Sequence, residues 1–397
     1  MKTIMVIGVG TPQVYMLQKA RHLGLRTIAI EGDPQAPGLE VADIAYNIPT
    51  THVEKIAKIA ERHHIDGVTT IASDTPLAAV ARVGKNLGLK HTLSEETAII
   101  SNDKGYMRRH FEKYGLPGPR YEIVNSIDDA IAFLRESTTP IVMKPLTQSG
   151  GRGAKIVTDE VELRTAYTTN RSYLKDEFLV EEYLRGLHTC VNTFTIDGKT
   201  SVIATIDRKI GYFPNLVETE HSYPSMLLAN HRKQAEEISI CAVEASGLLW
   251  GPSHIDLVVT DAGAQICEIG TRLDGGFKST HLIPLATGID ILSATLMTAI
   301  GVDNIDITPK FQIPFIIQNI FYPPGTICAI NCIEEAKRIE GIVDVLIKVK
   351  VGHRANPVNS LYDMAGVVMA EGTQARESIS NALSILEFQV DSEELHK

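Results

Sequence analysis

Two acidic residues lie in a segment whose pattern would place them face to face. Ser253-His254-Ile255-Asp256-Leu257-Val258-Val259 has the alternation and β-branched content of a strand, Thr260-Asp261-Ala262-Gly263 reads as a turn, and Gln265-Ile266-Cys267-Glu268-Ile269 as the return strand. A turn centred on Ala262 sets Asp256 opposite Glu268. Cross-strand neighbours are about 5 Å apart, and like charges there destabilise the pair. A cation between the two carboxylates removes the repulsion, and oxygen ligands favour Mg²⁺, which keeps its remaining positions for water and nucleotide phosphates. A hairpin whose acids simply face solvent has the same pattern.

Three further groups carry chemistry. The glycine-rich run Thr147-Gln148-Ser149-Gly150-Gly151-Arg152-Gly153-Ala154 follows Lys144. Successive glycines let main-chain N–H groups turn toward an anion, and the lysine adds a point charge for phosphate. The lysine precedes the glycines, the reverse of a Walker A loop; a merely flexible loop would read similarly. Phe178-Leu179-Val180-Glu181-Glu182-Tyr183-Leu184 passes from apolar to acidic, and its backbone edge could read an adenine while an acid accepts from the amino group. Arg272 follows Glu268 by four residues, so period-two alternation puts it on the same strand face. Its fork suits a carboxylate or acyl phosphate, the alternative being a surface pair with Asp274.

Strands and helices must position these groups. Residues 3–7, 27–30 and 67–71 read as buried strands separated by helical stretches around 15–23 and 53–63, a βαβ rhythm that implies a parallel, doubly wound sheet. A helix opens near Ser101-Asn102-Asp103-Lys104 with a Ser or Asn cap and stops at Tyr114-Gly115-Leu116-Pro117. Residues 140–145 form a short strand, 146–153 a loop, and 178–184 a strand running into a connector. Strands at 189–195 and 201–207 precede an amphipathic helix at 232–246. From about residue 309, strands and helices mix, at 315–321, 333–339, 343–349 and 374–386.

The chain's 397 residues allow two or three domains, and 44% hydrophobic with 22% charged residues is the balance of a soluble globular protein. No apolar run reaches the roughly 18 residues of a membrane span, and no cleavage site follows the first strand, so no membrane association and a cytoplasmic location are expected. Five scattered cysteines without a CxxC pair argue against disulfides or zinc. A net charge of −10, without a basic stripe, argues against nucleic acid.

In this order the pieces resemble the ATP-grasp superfamily of α/β ligases, most closely the bacterial L-amino acid ligases that make dipeptides. The resemblance covers nearly the whole chain and is strongest at Gly251-Pro252-Ser253-His254-Ile255-Asp256-Leu257 with Glu268-Ile269-Gly270-Thr271-Arg272-Leu273-Asp274-Gly275-Gly276. It implies an ATP-grasp fold: a Rossmann-like N-terminal lobe (1–97), a core (98–305) with a flap subdomain (about 138–185), and an α+β C-terminal lid lobe (306–397). It implies ATP and Mg²⁺ as cofactors, Lys104 and Lys144 on the ATP phosphates, and Gly150, Gly151 and Gly153 in the flap. By the same likeness Glu181, Glu182, Tyr183 and Leu184 form the adenine hinge, with Glu181 the side-chain acceptor and Tyr183 and Leu184 read through the backbone. His188 stands where many members place a ribose-binding glutamate. Asp256 and Glu268 would bind Mg²⁺, while Gly270 replaces a metal-binding asparagine of many members. Arg272, with Lys144, would be catalytic and steady the acyl phosphate. The segment Pro214-Asn215-Leu216-Val217-Glu218-Thr219-Glu220-His221-Ser222-Tyr223-Pro224 resembles the substrate loop, its acids suited to an α-ammonium group. Glu218, Glu220, His221, Arg272, Gly275 and Gly276 are the substrate candidates. The partners implied are a small-molecule carboxylate and an amine, and a homodimer is common among the lookalikes.

Three other readings compete. Gly8-Val9-Gly10 with Glu31 resembles a dinucleotide fingerprint, but position 13 is glutamine and Pro12 stands where the helix should begin. Purine-pathway and biotin-carboxylase-like enzymes share the ATP-grasp layout. A non-catalytic ATP-binding regulatory protein would need the same nucleotide site but no intact Arg272 or acidic pair.

Overall fold

The apolar N-terminal runs build a four-stranded, all-parallel sheet in the computed structural model, which describes residues 1–391. Its order is Ile44–Asn47, Arg26–Glu31, Thr3–Ile7, Gly67–Thr69. Thr3–Ile7 is buried at every position, as its continuous apolar run requires of a central parallel strand. The Ile44–Asn47 edge strand, half exposed in strict alternation, was not anticipated from the sequence. The helices Val14–His22, Val53–His63 and Leu77–Leu87 accompany the sheet. Glu31 accepts hydrogen bonds from the backbone N–H of Val9 (3.0 Å) and Gly32 (2.6 Å). Its carboxylate is thus spent on the Gly8–Gly10 turn, where a dinucleotide ribose would need it.

Two compact units divide the chain. The first joins Met1–Gly118 with Thr189–Thr205 and Leu227–Phe311; the second joins Pro119–His188 with Ile206–Met226 and the chain from Gln312 onward. In the first unit the helix Lys104–Lys113 is capped by Asp103, whose side chain accepts from the Tyr106 N–H. The cap is therefore neither of the two residues expected, because a separate helix, Glu95–Asn102, ends immediately before it. That unit also holds the hairpin Gly251–Thr260/Gly263–Gly270, covered on one face by the helix Ala229–Ala245. Ile255, Leu257, Val259, Ala264, Ile266 and Ile269 form the core beneath it.

In the second unit, Ile141–Pro145 lies between Lys155–Val157 and Phe178–Glu182, with Tyr121–Val124 at the other edge. Val217–Tyr223 is a strand, paired antiparallel with Phe315–Ile320, so the expected substrate loop is ordered β-structure over most of its length. Phe315–Ile320 pairs in turn with Gly366–Glu371, which pairs with Ile342–Ile347 and is packed by the helix Ala375–Ile385. Among the described residues no single helix is long and apolar enough to cross a membrane.

Candidate active site

Asp256 and Glu268 are register partners across the hairpin. The cause differs from the one expected. The tight turn is Asp261-Ala262, pairing Thr260 with Gly263 and Leu257 with Ile266, which by itself would set Cys267 opposite Asp256. A β-bulge at Cys267 inserts the extra residue and brings Glu268 into place. The bulge also resets parity. Ala264 and Ile266 face the core, and the next core residue is Ile269, so Glu268 is turned to the opposite face with Asp256. Arg108, buried on the Lys104–Lys113 helix, donates to the carbonyls of Ile266 (2.6 Å) and Cys267 (3.0 Å) and satisfies the bulged backbone. Lys104 stands one turn earlier on the same helix face, and its Nζ lies 2.9 Å from Glu268 Oε1.

His254 and Gly270 form the next register pair. A Cβ on Gly270 would lie 2.1 Å from His254 Cε1, so the imidazole fills the space that an asparagine at this position would need. Two carboxylates remain on this face. Among the described residues no group of three or more His, Cys, Asp or Glu side chains converges as a metal cage. Mg²⁺, which is commonly held by one or two carboxylates together with substrate phosphates, fits this pair.

Arg272 lies past the end of the strand, which stops at Gly270, so strand alternation does not place it. It pairs with Asp74 and not with Asp274: Nε donates to Oδ1 at 2.9 Å and NH2 to Oδ2 at 2.7 Å. Burial works against the guanidinium charge, but the carboxylates of Asp74, Asp274 and Glu268 outweigh it and hold the charge firmly. Asp274 meets Lys278 Nζ (3.2 Å) and accepts from the Cys190 thiol (3.2 Å). Burial opposes its ionised form, and His254, Lys278, Arg272 and that thiol nonetheless keep it far below the ordinary carboxylate range. Gly275 and Gly276 continue this turn, Gly276 with φ +61°.

In the second unit, Lys144 is ion-paired with Glu181, both side chains largely buried. The register sets Val142 opposite Glu181, which puts Lys144 diagonally across from it. Tyr183 N–H donates to Pro140 O at 2.8 Å, so the main-chain donor of this expected hinge residue is already engaged, while that of Leu184 is not part of this pairing. Glu182 N–H is held by Arg120 O. In the glycine loop, Gly150 and Gly151 take φ of +65° and +78°, open to glycine at no steric cost. A Cβ at Gly150 would meet the Tyr362 ring at 2.7 Å and one at Gly151 the Leu216 carbonyl at 2.8 Å. Gly153 is confined likewise by Pro145.

His188 lies close to Arg208 and Glu218; burial first, and Arg208 second, push its imidazole down to about 4. Glu218 is ion-paired with Arg208 and lies 3.3 Å from the buried His221. Glu220, itself buried, accepts two bonds from Arg376, at 2.8 and 2.7 Å. The two acids of the expected substrate segment are therefore already matched with arginines.

Residues 137–281 match the family of the ATP-grasp domain, and residues 319–388 that of the L-amino acid ligase C-terminal domain 2. The chain therefore carries an ATP-grasp domain followed by an L-amino acid ligase C-terminal domain. An uncharacterized protein, y4rH, of Sinorhizobium fredii is 25% identical over 95% of this chain and 79% of its own length. Alanine–anticapsin ligase of Bacillus subtilis is 27% identical over 62% of this chain, and the match spans 56% of that ligase, about half its length. The fold matches the L-amino acid ligase of Bacillus licheniformis with a TM-score of 0.85 over 99% of both chains, at 19% identity. It also matches N5-carboxyaminoimidazole ribonucleotide synthetase of Thermotoga maritima, with a TM-score of 0.77, 22% identity, and 98% and 100% of the two chains covered. ATP-grasp enzymes use ATP and Mg²⁺. The fold is thus shared with an L-amino acid ligase, purine-pathway synthetases and biotin carboxylases.

Proposed function

We propose that this ATP-grasp protein is an ADP-forming carboxylate–amine ligase that joins amino acids. The reading is carried by the opposed pair Asp256 and Glu268 with Lys104 on Glu268. It is supported by the match of residues 319–388 to an L-amino acid ligase domain. ATP is a substrate of the reaction. A substrate carboxylate oxygen bonds to the γ-phosphorus as the bond to the β-phosphate oxygen breaks, leaving ADP and an acyl phosphate. The amine nitrogen then bonds to the acyl carbon, the carbon–oxygen bond to phosphate breaks, and the amine proton passes to solvent or a base.

Asp256 and Glu268 would hold Mg²⁺, which supplies charge neutralisation on the phosphates. Lys104 and Lys144 bind phosphate oxygens, and Lys144 must exchange Glu181 for them. Residues 181–184 take the adenine, with Leu184 N–H as donor, and His188 lies on the ribose side. Arg272 orients the acyl group. The flap glycines Gly150, Gly151 and Gly153 exclude water, since the acyl phosphate would otherwise hydrolyse. Catalysis is thus positioning and electrostatics more than covalent chemistry by the protein. Glu218, Glu220 and His221 in the second unit, and Gly275 and Gly276 in the first, are the substrate candidates; Arg208 and Arg376 hold the two acids in place. For these roles we keep the division into an N-terminal lobe (1–97), a core (98–305) and a lid lobe (306–397, whose last six residues lie outside those described). A homodimer is part of the reading, and sedimentation equilibrium checks it.

The deciding experiment is phosphate release from Mg-ATP across all pairs of the twenty L-amino acids, with mass spectrometry of active wells. A product at the summed masses less water establishes the ligase and names its substrates. A blank matrix with ATP binding intact overturns the amino-acid assignment, and bicarbonate and formate then become the acids to test.

A further inference from the structure

We infer that Asp74 is a positioning residue, one that fixes the Arg272 guanidinium so that only one edge of it faces the reacting acyl group. The inference rests on the reading of Arg272 given above.

A guanidinium has five N–H donors, arranged as a side edge (Nε and one terminal nitrogen) and an end edge (the two terminal nitrogens). Asp74 takes the whole side edge of Arg272 with both carboxylate oxygens. A third N–H, on NH1, donates to Leu273 O at 3.2 Å. One N–H on each terminal nitrogen is left, and terminal N–H groups of a guanidinium are the donors that bind a carboxylate or phosphoryl group. Asp74 therefore sets which edge of Arg272 is presented and in which plane.

The backbone around Asp74 is fastened to the arginine's own turn. Ile71 and Leu273 form a parallel bridge, and Ala72 N–H donates to Leu273 O at 3.0 Å. Ala72 adopts φ +61°, unusual for alanine, and Gly275 packs close, with an ideal Cβ 3.2 Å from that of Ala72. Asp74 sits just before the helix Leu77–Leu87, whose residue Leu77 donates its N–H to Asp74 O. Asp74 and Arg272 are each about nine-tenths buried at the side chain, so solvent competes little for the pair. A strained loop after the fourth parallel strand is thus held against the Arg272 turn by a backbone bridge, which includes the Ala72–Leu273 hydrogen bond, and by a doubly bonded ion pair. An aspartate needed only for solubility or helix entry would require none of these.

The test uses the full chain and three variants: Asp74→Asn, Arg272→Ala and the double variant. ADP release is measured with Mg-ATP and the amino-acid pair that the wild type consumes. Asp74→Asn should lower kcat by about 10- to 100-fold, the scale of a misplaced orienting group. The KM for ATP should move by less than about two-fold, since the group acts on the acyl side. Because Asp74 acts through Arg272, the double variant should be no slower than Arg272→Ala alone. Wild-type kcat in Asp74→Asn, or losses that multiply in the double variant, would overturn the inference. Should the wild type turn over no substrate, the ligase reading fails. Asp74 is then judged on the ¹⁵N–¹H resonance of Arg272 Nε, assigned by its disappearance in Arg272→Ala. A shift of that resonance in Asp74→Asn supports the fixed edge, and an unmoved resonance overturns it.

Discussion

Asp256 and Glu268 oppose each other because Cys267 is bulged out of the strand between Ile266 and Glu268. Without the bulge Glu268 would share the parity of Ala264 and Ile266 and point into the core. The face that carries the two opposed acids is therefore made by one extra residue, and that residue is held by Arg108 from a helix 159 positions away in sequence.

Arg108→Met follows directly. The variant keeps the apolar stem but abandons the carbonyls of Ile266 and Cys267. Loss of two bonds from a charged donor, with buried carbonyls left behind, should cost about 2–3 kcal/mol. Mg²⁺-dependent turnover should fall with it, because the register that opposes the two acids loosens. Urea unfolding and ADP release on the same preparation check both; unchanged stability would show that the bulge needs no support.

Glu268→Gln tests the acid itself. The amide is isosteric and can no longer bind Mg²⁺ as a carboxylate, and Lys104 loses its ion pair. Turnover should vanish while the thermal unfolding midpoint stays close to that of the wild type, since Glu268 is partly exposed and lies off the core. Activity at the wild-type level would remove Glu268 from the metal site.

These features separate what a sequence can disclose from what it cannot. The βαβ rhythm and the glycine loop were legible because they depend on local periodicity and on residue types with one conformational use. The opposition of Asp256 and Glu268 was legible in outcome only, because a bulge leaves no periodic trace. The partner of Arg272 was not legible: Asp74 is 198 residues distant, and the nearer Asp274 competed for the assignment. Arg108 left a weak signal, standing four residues after Lys104 on one helix face. The segment around Glu218 and Glu220 read as a polar loop because its alternation was hidden; His221 is fully buried beside Glu218, and Glu220, nearly so, is matched by Arg376, 156 residues away.

Gly270→Ala addresses the departure from the superfamily's asparagine. The new methyl would fall within 2.1 Å of His254 Cε1 and under 3 Å of both ring nitrogens. Forcing the ring aside should cost about 1–3 kcal/mol, the usual penalty of overpacking. Adding His254→Ala to the same chain should recover most of the loss, because the space is then open. Equal destabilisation in the single and double variants would mean that the backbone at Gly270, and not the imidazole, forbids a side chain.

The pH dependence of stability should carry the imprint of His188. Its imidazole titrates at about 4 in the folded chain against 6.5 when exposed, chiefly through burial and secondarily through Arg208. Between those values the unfolded chain binds a proton that the folded chain refuses, so stability rises with pH across the window and is lost as pH falls from 6.5 toward 4. Above 6.5 the residue is neutral in both states and contributes no slope. His188→Gln should flatten this part of the profile in urea unfolding at a series of pH values. In the wild type the His188 Cε1–H resonance should titrate near 4, and a midpoint at the ordinary histidine value would place this ring in solvent instead of against Arg208.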